Sequence, residues 1–173
     1  MLISKEKFYE WAYSDLLVNN QRGHFAEFIV AVALDITSSK RSEWAPYDLL
    51  YKNVKIEIKS AAYIQSWQQK RPSTIDFDIK QTRNLNFKTD EQEEQYKRQS
   101  DLYIFCHLKH KDRNTIDPTD VSQWDFYNVP TKILDIKFNK QKRISLSVLK
   151  KNGFNPVEFK DIKNNVDMFL SLI

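Results

Sequence analysis

The stretch YDLLYKNVKIEIKSAAY, residues 47–63, decides how the chain is read. Apolar Leu49, Val54, Ile56 and Ile58 alternate with polar residues in what reads as two short strands joined at Lys52-Asn53. A two-residue turn there sets Tyr51 opposite Val54, Leu50 opposite Lys55, Leu49 opposite Ile56 and Asp48 opposite Glu57. Directly opposed residues have Cβ atoms ~5 Å apart. Lys59 lies ~7 Å beyond Glu57 on the same face. One face of the pair is then Leu49, Tyr51, Val54, Ile56 and Ile58, and the other carries Asp48, Leu50, Lys55, Glu57 and Lys59. A longer turn would slip this register.

Two opposed carboxylates repel unless a cation sits between them, and carboxylate oxygens suit Mg²⁺ or Mn²⁺. A lysine beside such an ion orients or deprotonates water and stabilises charge developing on a phosphate. The ion lowers the pKa of its water and polarises the phosphoryl oxygen, which together is the chemistry of phosphodiester hydrolysis.

The acid-x-lysine triplet is common by itself. It occurs five times, starting at Glu57, Asp78, Asp135, Glu158 and Asp161, where roughly three are expected from composition. Position separates them. Only Glu57 follows both an apolar helix containing an acid and a strand carrying an acid. Asp76-Phe77-Asp78-Ile79-Lys80, with both acids on one strand face, is the competitor. The helix acid is Glu27, in RGHFAEFIVAVAL, residues 22–34, a segment apolar nearly all round and expected to be buried. A carboxylate so placed is costly unless it is paired or metal-bound. The plainer alternative is an acid in the first turns of the helix that reaches water or Arg22.

The remaining sequence bounds the problem. The 173 residues, 41% of them hydrophobic, suit one domain over residues 1–173. A mean hydropathy of -0.62 and the lack of a long apolar run argue against a membrane span. The polar start MLISKEKFYEWAYSD is no signal segment, so the expected location is cytoplasmic. Two glycines exclude a P-loop or dinucleotide fingerprint. The single cysteine, Cys106, excludes an internal disulfide and a Cys-rich zinc module. His107 and His110 lack a cysteine or acidic cluster beside them and read as a polar strand end. A net charge of +4 permits nucleic-acid binding without requiring it.

Along the chain, residues 4–18 read as an amphipathic helix and 22–34 as a second. Strands follow at 47–51, 54–60 and 73–80. A helix at 89–99 is suggested by Thr89 as cap and the acids after it, and a central apolar strand by 101–108. Strands are expected at 124–130 and 131–138. Helices are expected at 145–153, closed by Gly153, and at 157–172. Residues 38–46 and 109–123 read as polar loops. The class is mixed α/β.

GHFAEFIVAVAL followed by PYDLLYKNVKIEIKS resembles the restriction-endonuclease-like PD-(D/E)xK nuclease superfamily. Pro46, Tyr47 and Asp48 stand where its motif has Pro-Asp, with one residue inserted, and Glu57-Ile58-Lys59 stands as its (D/E)xK. Glu27 takes the place of the helix glutamate found in many members, notably archaeal Holliday-junction resolvases. The resemblance covers about half the chain. It implies an α-β-β-β-α-β core at about residues 22–108, a mixed sheet flanked by helices, with extra C-terminal strands and helices. It implies Mg²⁺, with Mn²⁺ as substitute, held by Asp48, Glu57 and the Ile58 carbonyl, with Glu27 near by and Lys59 at the attacking water. The glutamine-tyrosine motif of RecB-like exonucleases is not evident.

AYIQSWQQKRPS, residues 61–72, adds Gln65, Trp67, Lys70 and Arg71, types suited to phosphate contact and base stacking, or to an ordinary basic loop over the core. Lys97 and Arg98 suit either solvent or DNA. The expected function is a Mg²⁺-dependent DNA endonuclease acting on DNA, as a homodimer where both strands are cut. The alternatives are a catalytically silent nucleic-acid-binding or assembly module of the same fold, and an unrelated α/β domain with a solvated charged face.

Overall fold

The computed structural model of the chain describes residues 2–38, 40–83, 85–86 and 91–171. The hairpin is built as its alternation requires. β1 (Leu49–Tyr51) and β2 (Val54–Ala62) pair antiparallel, with Leu49 opposite Ile56, Leu50 opposite Lys55 and Tyr51 opposite Val54. Lys52 and Asn53 both have positive φ, 47° and 69°, the left-handed pair that matches a two-residue turn to the strand twist. Tyr51, Val54, Ile56 and Ile58 are buried, and Leu50 and Lys55 are exposed, so the two faces divide as the alternation predicts.

Before the hairpin, α1 (Lys5–Ala12) is capped by Ser4, whose hydroxyl accepts the Lys7 amide. It stops six residues short of the expected end, because Asp15 turns back to accept the Leu17 amide. α2 (Asn19–Ala33) then begins three residues early. Its Ala26, Ile29, Val30 and Leu34 are buried, whereas Phe28 is 53% exposed. The helix that reads as buried all round is therefore buried on one side only.

After β2 come β3 (Asp76–Asp78), the two-residue strands β4 (Leu85–Asn86) and β5 (Glu91–Gln92), β6 (Leu102–Leu108) and β7 (Trp124–Pro130). α3 (Thr131–Phe138), β8 (Arg143–Ser145), α4 (Leu146–Lys151) and α5 (Ile162–Leu170) complete the order. The main sheet runs β1-β2-β6-β7 and is mixed: β2 and β6 are parallel, and β7 is antiparallel to β6. One face packs Ile56, Ile58, Ile104 and Phe126 against α2 and α5. The other packs Tyr103, Phe105, Tyr127 and Val129 against Phe77, Leu134 and Leu149. Cys106, at the centre of β6, is fully buried, and burial pushes its thiol well above the ordinary range. No helix among the described residues is long and apolar enough to cross a membrane.

Three expectations of element type or strand pairing change. The third strand does not join the main sheet. β3 pairs with β8, and Arg143 bonds Asp76 across that pair. No helix occupies the described part of 89–99, and the expected cap, Thr89, lies outside the described residues. Extended pairing replaces it: β5 pairs with β4, and Thr82 and Lys97 exchange both backbone hydrogen bonds, at 2.9 and 3.1 Å. Arg98 is drawn inside. Its guanidinium donates to the carbonyls of Ile79 (2.8 Å) and Phe138 (3.1 Å) and to Asp135 (2.5 Å). These contacts outweigh the local preference of the acids for a first helical turn.

The third change is at 131–138, which is a helix rather than a strand. Thr131, Leu134 and Phe138 are buried at helical spacing, and Pro130 occupies the N-cap, where its missing N–H costs nothing. The strand reading would bury Ile136, which is 69% exposed. The closing helix is also shorter than expected, since Val157 bridges to Phe126 before the turn at Phe159–Asp161. Leu134→Ala is expected to cost roughly 2–5 kcal/mol by urea denaturation and Ile136→Ala less than about 0.5. Equal costs would contradict the helix.

Candidate active site

β2 continues for six residues past the last position paired with β1, so its outer edge is open from Glu57 onward. Asp48 precedes β1 and closes the first part of that edge. Its backbone N–H donates to the Ile56 carbonyl at 3.0 Å. Its carboxylate accepts the Ile58 N–H at 2.6 Å, filling a place that a longer β1 would have filled. Because strand N–H groups point along the sheet, Asp48 reaches its edge rather than standing squarely on the Glu57 face. The carbonyl of Ile58 points to the same edge as its N–H, as both groups of one strand residue do.

Glu57 and Lys59 project from one face of β2. Lys59 Nζ lies 2.6 Å from Glu57 Oε1, and the Ser100 hydroxyl donates to Glu57 Oε2 at 3.2 Å. Glu27, on α2 beside the other face, is buried and held by Arg41, at 2.5 Å from Nε and 3.1 Å from Nη2. Arg41 also bonds Glu43. The side chain that pairs with Glu27 is thus not Arg22, which its place in the helix would suggest, but an arginine of the loop read only as polar.

These groups sense one another. Burial first, then the negative charges of Glu57 and Glu27, push the Asp48 carboxyl up to about 7. Burial pulls the Lys59 ammonium down, but Glu57, Asp48 and Asp78 more than offset it, so its net direction is up. The hydroxyl of Tyr103, opposite Glu57 on β6, is pushed upward by burial and by Glu57. The structure therefore brings Glu57, Lys59 and Glu27 each within electrostatic reach of Asp48. It adds Asp78 to the set, so the competing triplet on β3 is a neighbour rather than a separate place. Its Asp78 and Lys80 pair at 3.3 Å.

Asp48 stands between two hollows. A cleft of about 310 Å³ is lined by Pro46, Tyr47, Asp48, Glu57, Arg83 and Gln99. A cavity of about 440 Å³ is lined by His24, Glu27, Phe28, Arg41 and Asp48. Among the described residues no three His, Cys, Asp or Glu side chains are gathered closely enough to form a ready metal cage. The donor chemistry nevertheless suits a hard divalent cation: oxygen donors only, crowded enough that one acid is held near neutrality. The cations at hand, Lys59 and Arg41, take part of that role.

The residues after β2 divide. Trp67 is 55% exposed, and Lys70 and Arg71 are exposed. Gln65 is buried. It donates to the Ala62 carbonyl at 2.8 Å and accepts from Arg22 at 3.2 Å, so it holds the loop rather than facing a ligand. Arg98 is likewise structural, facing neither solvent nor DNA. Arg113, in a segment read only as a polar loop, donates to the Gln65 and Trp67 carbonyls at 2.8 and 2.6 Å. No sequence pattern marks Arg113 or Arg41, because each acts on a partner distant in the chain.

No family model matches the chain, and no curated protein or solved structure is significantly similar to it.

The raised Asp48 carboxyl fixes the sign of a pH effect. The folded protein holds a proton on Asp48 that the unfolded chain releases near the ordinary carboxyl value, ~3.9. The stability so contributed is complete below that value and is lost as pH rises towards about 7. Asp48→Asn keeps an oxygen for the Ile58 amide and removes the charge. It should raise the melting temperature by several degrees at pH 8 and by little at pH 4, read by differential scanning calorimetry. A constant difference across that range would contradict the crowded-acid geometry.

Proposed function

We propose that the chain is a metal-dependent deoxyribonuclease with a restriction-endonuclease-like core, hydrolysing phosphodiester bonds at the edge of β2. One observation carries the reading: Asp48, Glu57 and Lys59 meet beside an open strand edge, with the Asp48 carboxyl pushed up to about 7 by burial and neighbouring acids. Structural ion pairs normally hold acids below their ordinary range, and buried acid pairs pushed the other way cluster at functional sites. The parallel β2–β6 pair and the antiparallel β1–β2 hairpin support the core, which here lacks a helix between β2 and β6 among the described residues.

Asp48, Glu57 and the Ile58 carbonyl are the oxygens that would hold Mg²⁺, with Mn²⁺ as substitute. Bound there, the ion would supply an acidified water and a polarised phosphoryl oxygen. Lys59, on the same face as Glu57, would orient the attacking water and stabilise charge on the phosphate. Glu27 adds negative charge from α2. Trp67, Lys70 and Arg71 offer a stacking surface and phosphate contacts on the loop beyond β2. A silent nucleic-acid-binding module is the second reading, favoured by the pairing of Glu57 with Lys59 and of Glu27 with Arg41.

Roles separate the variants. Lys59→Ala should abolish Mg²⁺-dependent cleavage, a loss of ~100-fold or more, while Mn²⁺ binding by calorimetry persists. Asp48→Ala should lose both. The readout is a panel of plasmid and branched DNA. Cleavage by Lys59→Ala at the wild-type rate would end the catalytic assignment. Wild type that binds Mn²⁺ and DNA yet cuts nothing would favour the silent module.

DNA binding should also weaken steeply between ~50 and ~200 mM salt, since phosphate contacts release counterions. Lys70→Ala with Arg71→Ala should flatten that slope in a fluorescence-anisotropy series. Binding unchanged across the series would remove DNA as partner.

A further inference from the structure

We propose that the first turn of α2 and the end of β2 form a second site, built around Arg22, that binds a phosphoryl group. It goes beyond the nuclease reading and does not depend on it.

Arg22 is 3% exposed, yet among the described residues no acid is paired with it. Its guanidinium donates to the Leu17 carbonyl at 2.9 Å, to Asn19 Oδ1 at 2.6 Å and to Gln65 Oε1 at 3.2 Å, all neutral acceptors. Its buried Nε has no hydrogen-bond partner among the described residues. Burial alone lowers its pKa, to about 10, and it stays a cation at neutral pH. A buried charge is costly unless it is paired.

The end of the helix points the same way. α2 starts with Val18 at its N-cap, without a side-chain cap bond, and carries no acid in its first turn. Its first-turn N–H groups and positive dipole end are therefore not offset by a capping side chain or a first-turn acid. Asn19 and Arg22 line a cavity of about 310 Å³ together with Ser60, Ser73, Thr74 and, at its rim, Trp67. The one acid in the wall, Asp76, is bonded by Arg143. Hydroxyls, the start of α2 at Asn19 and the Arg22 guanidinium line one hollow and together make a donor set for tetrahedral oxyanions. Ser60 lies three residues along β2 from Glu57, ~10 Å away, so this is a different place from the candidate active site.

The shared chemistry is a phosphoryl oxyanion, supplied by a nucleic-acid strand or as free phosphate. The test is titration of ¹⁵N-labelled protein at constant ionic strength with inorganic phosphate, with chloride as control. A 5′-phosphorylated oligonucleotide and its 5′-hydroxyl twin follow. Saturable shifts of the Asn19–Arg22 amides with phosphate and not with chloride are expected. Tighter binding of the phosphorylated oligonucleotide assigns a terminal phosphate, equal binding of the two assigns an internal diester, and shifts with inorganic phosphate alone assign the free anion.

Arg22→Lys, which loses the planar fork, should weaken binding ~10-fold or more. Thr74→Glu, at an exposed position, should do the same without touching the core. Asp48→Asn should leave phosphate binding unchanged, which separates failure here from failure of the nuclease reading. The proposal is overturned if no probe shifts Asn19–Arg22 saturably. It is also overturned if folded Arg22→Lys or Thr74→Glu binds as wild type does, or if Asp48→Asn abolishes binding.

Discussion

β2 is nine residues long and β1 only three, and this mismatch shapes the rest of the candidate site. An edge strand must satisfy its outward N–H groups or leave them to water. Here the chain supplies a carboxylate from the residue before β1, and that choice draws Asp48 beside Ile58. Once it is there, Glu57 is an unavoidable neighbour, and Glu27 approaches from α2. A β1 longer by two residues would have capped the same edge with a backbone carbonyl and left no acid near neutrality.

The hairpin was readable because two independent signals coincided: strict alternation, and a turn pair that accepts positive φ. Its register held as far as Leu49 opposite Ile56, and Asp48, expected opposite Glu57, lies just before that ladder with its N–H on the Ile56 carbonyl. The segments that misled did so for lack of such agreement. Residues 131–138 satisfy both a two-residue and a helical period, and only the burial of Leu134 and Phe138 over Ile136 separates them. The acids after Thr89 favour a helix start locally, but the deep burial of Arg98 holds that part of the chain extended. Gln65 looked like a recognition residue because its type is polar, while its burial depends on Arg22, 43 positions away.

Local rules are broken in this fold mainly where charge is buried, and such conflicts concentrate where a protein acts. Around the edge of β2 the negative charges are matched by cations from separate elements: Lys59 from the same strand, Arg41 from a loop. At the start of α2 the buried cation Arg22 is met by neutral acceptors, with no acid paired to it among the described residues.

The place of Cys106 has a practical consequence. It is the chain's sole cysteine, fully buried at the centre of the parallel pair, and its thiol is held well above the ordinary range by burial and by Asp48 and Glu27. Alkylation needs the thiolate and access to it, and neither exists until β6 parts from its neighbours. Labelling by a thiol reagent thus acts as a clock for opening of the central sheet, with no probe to engineer. Because two of the acids near it are those of the candidate site, the same clock reports any ligand that stabilises their closed arrangement.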